Sequence, residues 1–190
     1  NNDELQDTIK SKLKANGLQD TDFIIQKTVQ LADSMMARQS NMLIGPPLCW
    51  KSTIWQTLCS ARQSLDQNCQ LHASSINTFV INPKALKPEE LFGSYNAISR
   101  EWADGVLSSI FKACSESTKS EALQWIILDG PVDPLWIESM NSVMDDNKIL
   151  TLANGDRIPL TQSMSLLFEV ENLNYASPAT VSRAGMIFVD

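Results

Sequence analysis

The chain has 190 residues, long enough for one ordinary domain with a real core, and its 43% hydrophobic and 19% charged residues exclude a disordered chain. Fifteen Lys and Arg against 22 Asp and Glu give a net charge of -7, which disfavours nonspecific binding to nucleic acid. No apolar run is long enough to span a membrane, and the opening "NNDELQDTIKSKLK" lacks the basic-then-apolar layout of a secretion signal, so neither nucleic acid nor membrane is an expected partner.

Residues 3–15 are predicted to be helical, with Leu5, Ile9 and Leu13 at spacings of four. Asn16-Gly17 stops that helix, and Thr21 or Asp22 caps the next, over about 22–39, with Phe23, Gln26, Val29, Met36 and Ala37 near one face. "NMLIG" (41–45) reads as a short strand, and residues 51–65 as a helix carrying Ile54, Trp55, Leu58 and Leu65. "TFVINP" (78–83) is a second strand. A helix begins at Pro88, with Glu89 and Glu90 in its first turn, where the helix dipole favours acids. "GSYNAISREWADG" has turns at Gly93 and Gly105 and reads as an insertion before "VLSSIFKAC" resumes helix. "QWIILDG" (124–130) is apolar throughout, as a strand buried on both faces requires. Asp133-Pro134 starts a helix to about Met144. Two alternating runs around Asn154-Gly155 predict a tight hairpin. "MSLLFEV" (164–170) is a fourth buried strand, Ser177-Pro178 opens a short helix, and "GMIFVD" (185–190) is a fifth strand.

Strands alternating with helices predict a parallel sheet with helices on both faces, in which ligands sit beyond the carboxyl ends of the strands. Such a ligand site is suggested by "GPPLCWKST" (45–53), which nearly matches the phosphate-loop pattern G-x-x-x-x-G-K-[ST] between a strand and a helix. A phosphate cradle works through backbone N–H groups at a helix N-terminus. Lys51 would reach the outer phosphates, Ser52 would place its hydroxyl on Mg²⁺, and Thr53 adds a second hydroxyl. Asp129, ending "WIILD", stands where an acid holding the metal's waters belongs. Two departures stand out. Gly130 follows the strand acid, so no general base is evident there. Trp50 replaces the second glycine, at a cost of about 1–3 kcal/mol if the position needs positive φ. The plain alternative is a strand-to-helix turn that binds nothing.

The remaining candidates are minor. Cys49, Cys59, Cys69 and Cys114 are spaced ten, ten and forty-five apart, which fits no compact zinc motif, and free thiols in an intracellular protein are the simplest reading. His72 is the only histidine, which excludes a multi-histidine metal site, and it reads as a surface residue. Trp102, Trp125 and Trp136 read as packing residues. Asp145-Asp146 reads as a turn cap facing water.

Four long strings carry a resemblance: "INPKALKPEELFGSYN", "REWADGVLSSIF", "ILDGPVDPLWIESMNSVMDDNKILTLANGDRIPL" and "FEVENLNYASPATVSRAGMIFVD". Over about residues 16 to 190 the chain resembles a dynein heavy chain, specifically the second AAA+ module of its motor ring, in the axonemal type. The resemblance implies one AAA+ large subdomain over 1–190: a five-stranded parallel sheet in order 5-1-4-3-2, entry helices over 1–40, and hairpin insertions at 93–105 and 148–160. It implies ATP or ADP with Mg²⁺, bound without turnover at Gly45, Pro46, Pro47, Lys51, Ser52, Thr53 and Asp129, with Ser52 and Asp129 serving the metal. Gly130 fits the lack of turnover, as does Glu171, which falls where hydrolysing modules place a polar sensor. The segment "NGLQDTDF" would pass the adenine, so Phe23 and Ile24 either line that pocket or belong to the core. Arg183 in "ATVSRAG" matches an arginine finger reaching the preceding module's ATP site; the plain alternative is a surface ion pair. Trp50 departs from the family's glycine, and the family's helical lid does not follow the fifth strand here, so weak binding is implied. The implied partners are the neighbouring modules and, through the whole heavy chain, intermediate and light chains and microtubules, in the cytoskeleton of a ciliary or flagellar axoneme. Two other functions compete with this one: a structural ring segment that binds no nucleotide, and an independent ATPase, which Trp50 and Gly130 argue against.

Overall fold

The computed structural model describes residues 2–19, 21–68, 75–117, 122–174 and 176–189. Cys69 and His72, singled out above, lie outside the described residues.

Two helices lead in, α1 (Asn2–Ala15) and α2 (Asp22–Ala37). Thr21 caps α2, its side chain accepting from the Ile24 N–H. The strand β1 (Ser40–Ile44) is buried along its whole length and feeds the loop before α3 (Lys51–Asn68). Next come β2 (Ile76–Ile81), a 3-10 turn at Pro83–Ala85, and α4 (Pro88–Phe92). A hairpin of β3 (Gly93–Tyr95) and β4 (Trp102–Asp104) precedes α5 (Val106–Glu116). The central strand β5 (Leu123–Asp129) leads to α6 (Pro134–Met144). A second hairpin, β6 (Ile149–Thr151) with β7 (Arg157–Pro159), precedes β8 (Met164–Val170). The described chain closes with α7 (Pro178–Arg183) and β9 (Gly185–Phe188).

The main sheet has the order β2-β5-β8-β1-β9, every pairing parallel. Counting only these five strands along the chain, that is 2-3-4-1-5, the expected order read from its other edge. Alternate residues of each strand feed two cores, as a period of two requires. Ile126, Leu128, Leu166 and Phe168 join the core under α5 and α6, whereas Trp125, Ile127 and Leu167 join the one under α2 and α3. Trp136 of α6 stacks on Phe168 with ring centroids 6.0 Å apart.

Two expectations need correction. The buried face of α2 is Ile24, Ile25, Thr28, Leu31 and Ala32, while Phe23, Gln26, Met36 and Ala37 face outward. The helical period is right but the phase is not, because α1 and α3 pack against the Ile24–Thr28–Leu31 ridge. The second hairpin is tight but not a two-residue turn: beyond the Thr151–Arg157 pair the Leu152 N–H bonds the Asp156 carbonyl and the Gly155 N–H the Leu152 carbonyl, leaving residues 153–155 to turn the chain. Only Gly155 takes a positive φ there, and Asn154 turns its side chain onto Asp156 instead.

One lysine links the two hairpins. Lys112 Nζ on α5 lies 3.0 Å from Asp104 of the first hairpin and 3.0 Å from Asp156 of the second. Trp102 Nε1 also donates to Asp104, at 2.7 Å.

Candidate functional site

The carboxyl ends of β1, β5 and β8 open into a cleft of about 720 Å³. The loop residues Pro47 to Thr53 form one wall, and Asp129, Gly130, Glu169 and Glu171 form the other, with Lys84 at its edge. Lys51 and Asp129 therefore share one hollow at the end of the sheet.

The loop owes its shape to left-handed residues that are not glycine. Leu48 has φ 64 and Trp50 has φ 70, each about 1–2 kcal/mol dearer than the right-handed form for an L-residue. Trp50 thus adopts the conformation for which glycine is the default residue. Pro47 and Leu48 form a turn, and among the described residues the backbone N–H groups of Leu48 and Trp50 make no hydrogen bond to the protein. These are the unpaired donors that an anion at a helix N-terminus satisfies.

Each predicted site residue has a definite place. Gly45 does not line the cleft. A Cβ there would collide with the Val189 carbonyl and come within 2.6 Å of Cys49 Sγ, so this glycine serves packing. Pro46 faces a smaller hollow with Phe23, and Pro47 lines the cleft; having no N–H, both contribute shape rather than donors. Lys51 is folded back, its Nζ donating to Gly45 O at 2.5 Å, Val170 O at 3.3 Å and Pro46 O at 3.5 Å. Asp129 is exposed at the end of β5. Phe23 and Ile24 both line a hollow beyond Trp50, and Ile24 also belongs to the core beneath α1.

Glu169 went unnoticed in the sequence. It lies in β8 opposite Asp129 in register and is only 3% exposed. Ser52 Oγ donates to one of its oxygens at 2.7 Å, and Trp55 Nε1 to the other at 3.1 Å. Burial pushes the Glu169 carboxyl up and the Asp129 charge adds to this, while the two hydrogen bonds and Lys51 oppose it. By accepting the Ser52 hydrogen bond, Glu169 leaves that hydroxyl's lone pairs for another partner, which is the orientation a metal would use. The available signal was a lone acid inside the apolar run "MSLLFEV".

The cleft carries Lys51 and Lys84 against Asp129, Glu169 and Glu171, so its charges do not favour a bare polyanion. Among the described residues, no group of three His, Cys, Asp or Glu is arranged to hold a metal alone. The residues present fit a magnesium nucleotide, in which the phosphates supply most of the metal's oxygens.

Arg183 is elsewhere. It ends α7 just before β9, whose first residue Gly185 pairs with Asn41 near the start of β1. It therefore stands at the amino ends of the strands, away from the cleft. Its Nε meets Asp145 Oδ1 at 3.1 Å in a half-exposed ion pair. Asp145 caps the C-terminus of α6 and Asp146 is exposed. Trp125 and Trp136 are buried, and Trp102 is half-buried against Tyr95. Cys49, Cys59 and Cys114 are free thiols, and no described helix is long and apolar enough to cross a membrane.

Residues 40–184 match the AAA domain of the dynein-related subfamily, and residues 1–52 match the hydrolytic ATP binding site of the dynein motor region. The chain is 48% identical over 188 residues to dynein axonemal heavy chain 2 of Mus musculus. It is 43% identical over 187 residues to dynein axonemal heavy chain 10 of Homo sapiens. Over 189 residues it is 43% identical to the dynein-1-beta heavy chain, flagellar inner arm I1 complex, of Chlamydomonas reinhardtii. Each similarity covers 98% of this chain but only 4% of the relative.

Proposed function

Because the chain belongs to the dynein-related subfamily of AAA domains, we propose that it is the second AAA+ module of an axonemal dynein motor ring. In this reading it holds ATP or ADP with Mg²⁺ as a structural or regulatory ligand and does not turn it over. The observation that carries the reading is the meeting of the phosphate loop, Asp129 and the Ser52–Glu169 pair in one cleft.

Lys51 would leave its three carbonyl acceptors for the outer phosphates. Ser52, oriented by Glu169, and Asp129 would serve Mg²⁺, whose charge offsets the acid excess of the cleft. With Gly130 after Asp129, the position following the strand acid carries no side chain to draw a proton from water, and Glu169 beside Asp129 has its two oxygens engaged by Ser52 and Trp55. Arg183, at the other end of the sheet, would serve the preceding module's site, leaving Asp145 to stabilise charge on that module's γ-phosphate. Through the whole heavy chain the module would act with intermediate and light chains on microtubules in an axoneme.

A fluorescent ATP analogue titrated with Mg²⁺ tests the site. Saturable binding that is lost in Lys51→Ala is expected, with phosphate release at background. Absence of binding by the unaltered chain would sink the reading, and sustained phosphate release would remove its non-hydrolytic part. In the whole heavy chain, Arg183→Ala should slow ATP turnover by on the order of 1,000-fold at the site it serves. Unchanged turnover would remove the finger role. One observation favours a second reading, a structural ring segment without nucleotide: Lys51 Nζ already has three backbone acceptors. Binding gained only in Trp50→Gly would support that reading.

A further inference from the structure

The loop borders two further hollows besides the cleft, and Trp50 lines all three. One, of about 260 Å³, is walled by Leu18, Thr21, Phe23 and Ile24. The other, of about 410 Å³, is walled by Phe23, Pro46, Cys49 and Val189. Trp50 directly precedes Lys51, so its indole starts one residue from the ammonium expected to hold phosphates. A nucleotide has the same layout, with a polyanion at one end and a flat base with apolar faces at the other.

Two further facts concern Trp50 itself. Trp50 is 49% exposed and the neighbouring Phe23 is 38% exposed, with the Lys27 ammonium 5.6 Å over one face of the Phe23 ring, leaving two aromatic side chains partly in water beside open hollows. The residue is also held at φ 70, where glycine would sit without strain. A bulky side chain kept in a backbone conformation that disfavours it points to a use for that side chain.

We propose that Trp50 is the base-recognising residue of this site: its indole, with Phe23, forms an aromatic wall on which a purine base stacks. The loop thereby trades the glycine that favours phosphate binding for a ring that favours the nucleoside. This inference rests on the nucleotide reading above. Stacking of a base on an aromatic side chain is worth about 1–3 kcal/mol, or about 5- to 150-fold in affinity.

Calorimetric titration of the chain with Mg-ADP and, separately, with Mg-tripolyphosphate tests it. Trp50→Gly should weaken ADP by about 5- to 150-fold and leave tripolyphosphate unchanged or tighter. Trp50→Phe, which keeps an aromatic ring, should retain most of the ADP affinity. Circular dichroism of both variants separates a lost contact from a lost fold. If Trp50→Gly binds ADP as well as the unaltered chain or better, while tripolyphosphate binds throughout, the wall is refuted and the phosphate site stands. If the unaltered chain binds neither ligand, the nucleotide reading fails and this inference fails with it.

Discussion

The two ends of the sheet are built on different terms. At the carboxyl ends of the strands, two non-glycine residues sit at positive φ and a carboxylate is buried beside a second one in register. At the amino ends, the expected functional residue Arg183 is held by one half-exposed ion pair to Asp145, and the one non-glycine residue at positive φ nearby, Lys148 (φ 48), closes the turn after α6 through its N–H to the Asp145 carbonyl. The difference between the ends is the buried charge: Glu169 is a cost that the surrounding core must sustain, and it stands where a ligand would be gripped, beside two left-handed residues of the loop. A group that must leave its partner to act elsewhere needs the opposite, a contact weak enough to give up.

Substitutions at the two ends should differ in size accordingly. The largest effect is expected from Glu169→Ala, which strips Ser52 and the buried Trp55 Nε1 of their acceptor. A loss of about 2–3 kcal/mol in urea unfolding is expected; a change within error would mean that water replaces the carboxylate and the burial is not costly. Glu169 also gives a pH signature. Its carboxyl titrates above its unfolded value, so the folded chain binds the proton more tightly. Its contribution is fully present below the ordinary glutamate pKa and is lost as pH rises through the raised one. Stability should fall across that window, and Glu169→Gln should remove that part of the slope; an unaltered slope would place the effect in another group.

Trp50→Gly comes next and has the opposite sign. Relief of φ 70 should raise stability by about 1 kcal/mol, seen as a higher Tm, after allowing for the freedom glycine gains in the unfolded chain. A lower Tm would show that the indole packs more than its exposure indicates. The smallest effect belongs to the amino end. Asp145→Ala and Arg183→Ala should each shift unfolding by less than about 1 kcal/mol, and less still in high salt. A loss comparable to that of Glu169→Ala would erase the contrast between the ends and make Arg183 a structural residue.

Much of the fold was legible because buried parallel strands are short apolar runs and helix starts carry Thr21, Pro88, Asp133 and Ser177 as visible signals. The strand order was a different matter: it came from the family resemblance, since periodicity cannot say which strands are neighbours. The face of α2 was misjudged because both of its sides carry apolar residues, and only packing against α1 and α3 chooses between them. Asn154-Gly155 marked the turn but not its length: the Leu152 N–H bonds the Asp156 carbonyl, so Ala153 joins the turn as a third residue and only Gly155 takes a positive φ. At the site, Lys51, Ser52 and Asp129 could be named from spacing. Glu169 could not, because its role depends on the pairing of β8 with β5 and on α3 lying above it.

The position of Lys112 bears on how the two insertions sit side by side against α5. The two hairpins are separate insertions, far apart in sequence, yet both bring a carboxylate to the same ammonium. Each contact is a partly exposed ion pair of the same kind as Arg183–Asp145, and so a weak one. The shared ammonium instead offsets two acids that would otherwise face each other, and neutralising it would leave both without their cation.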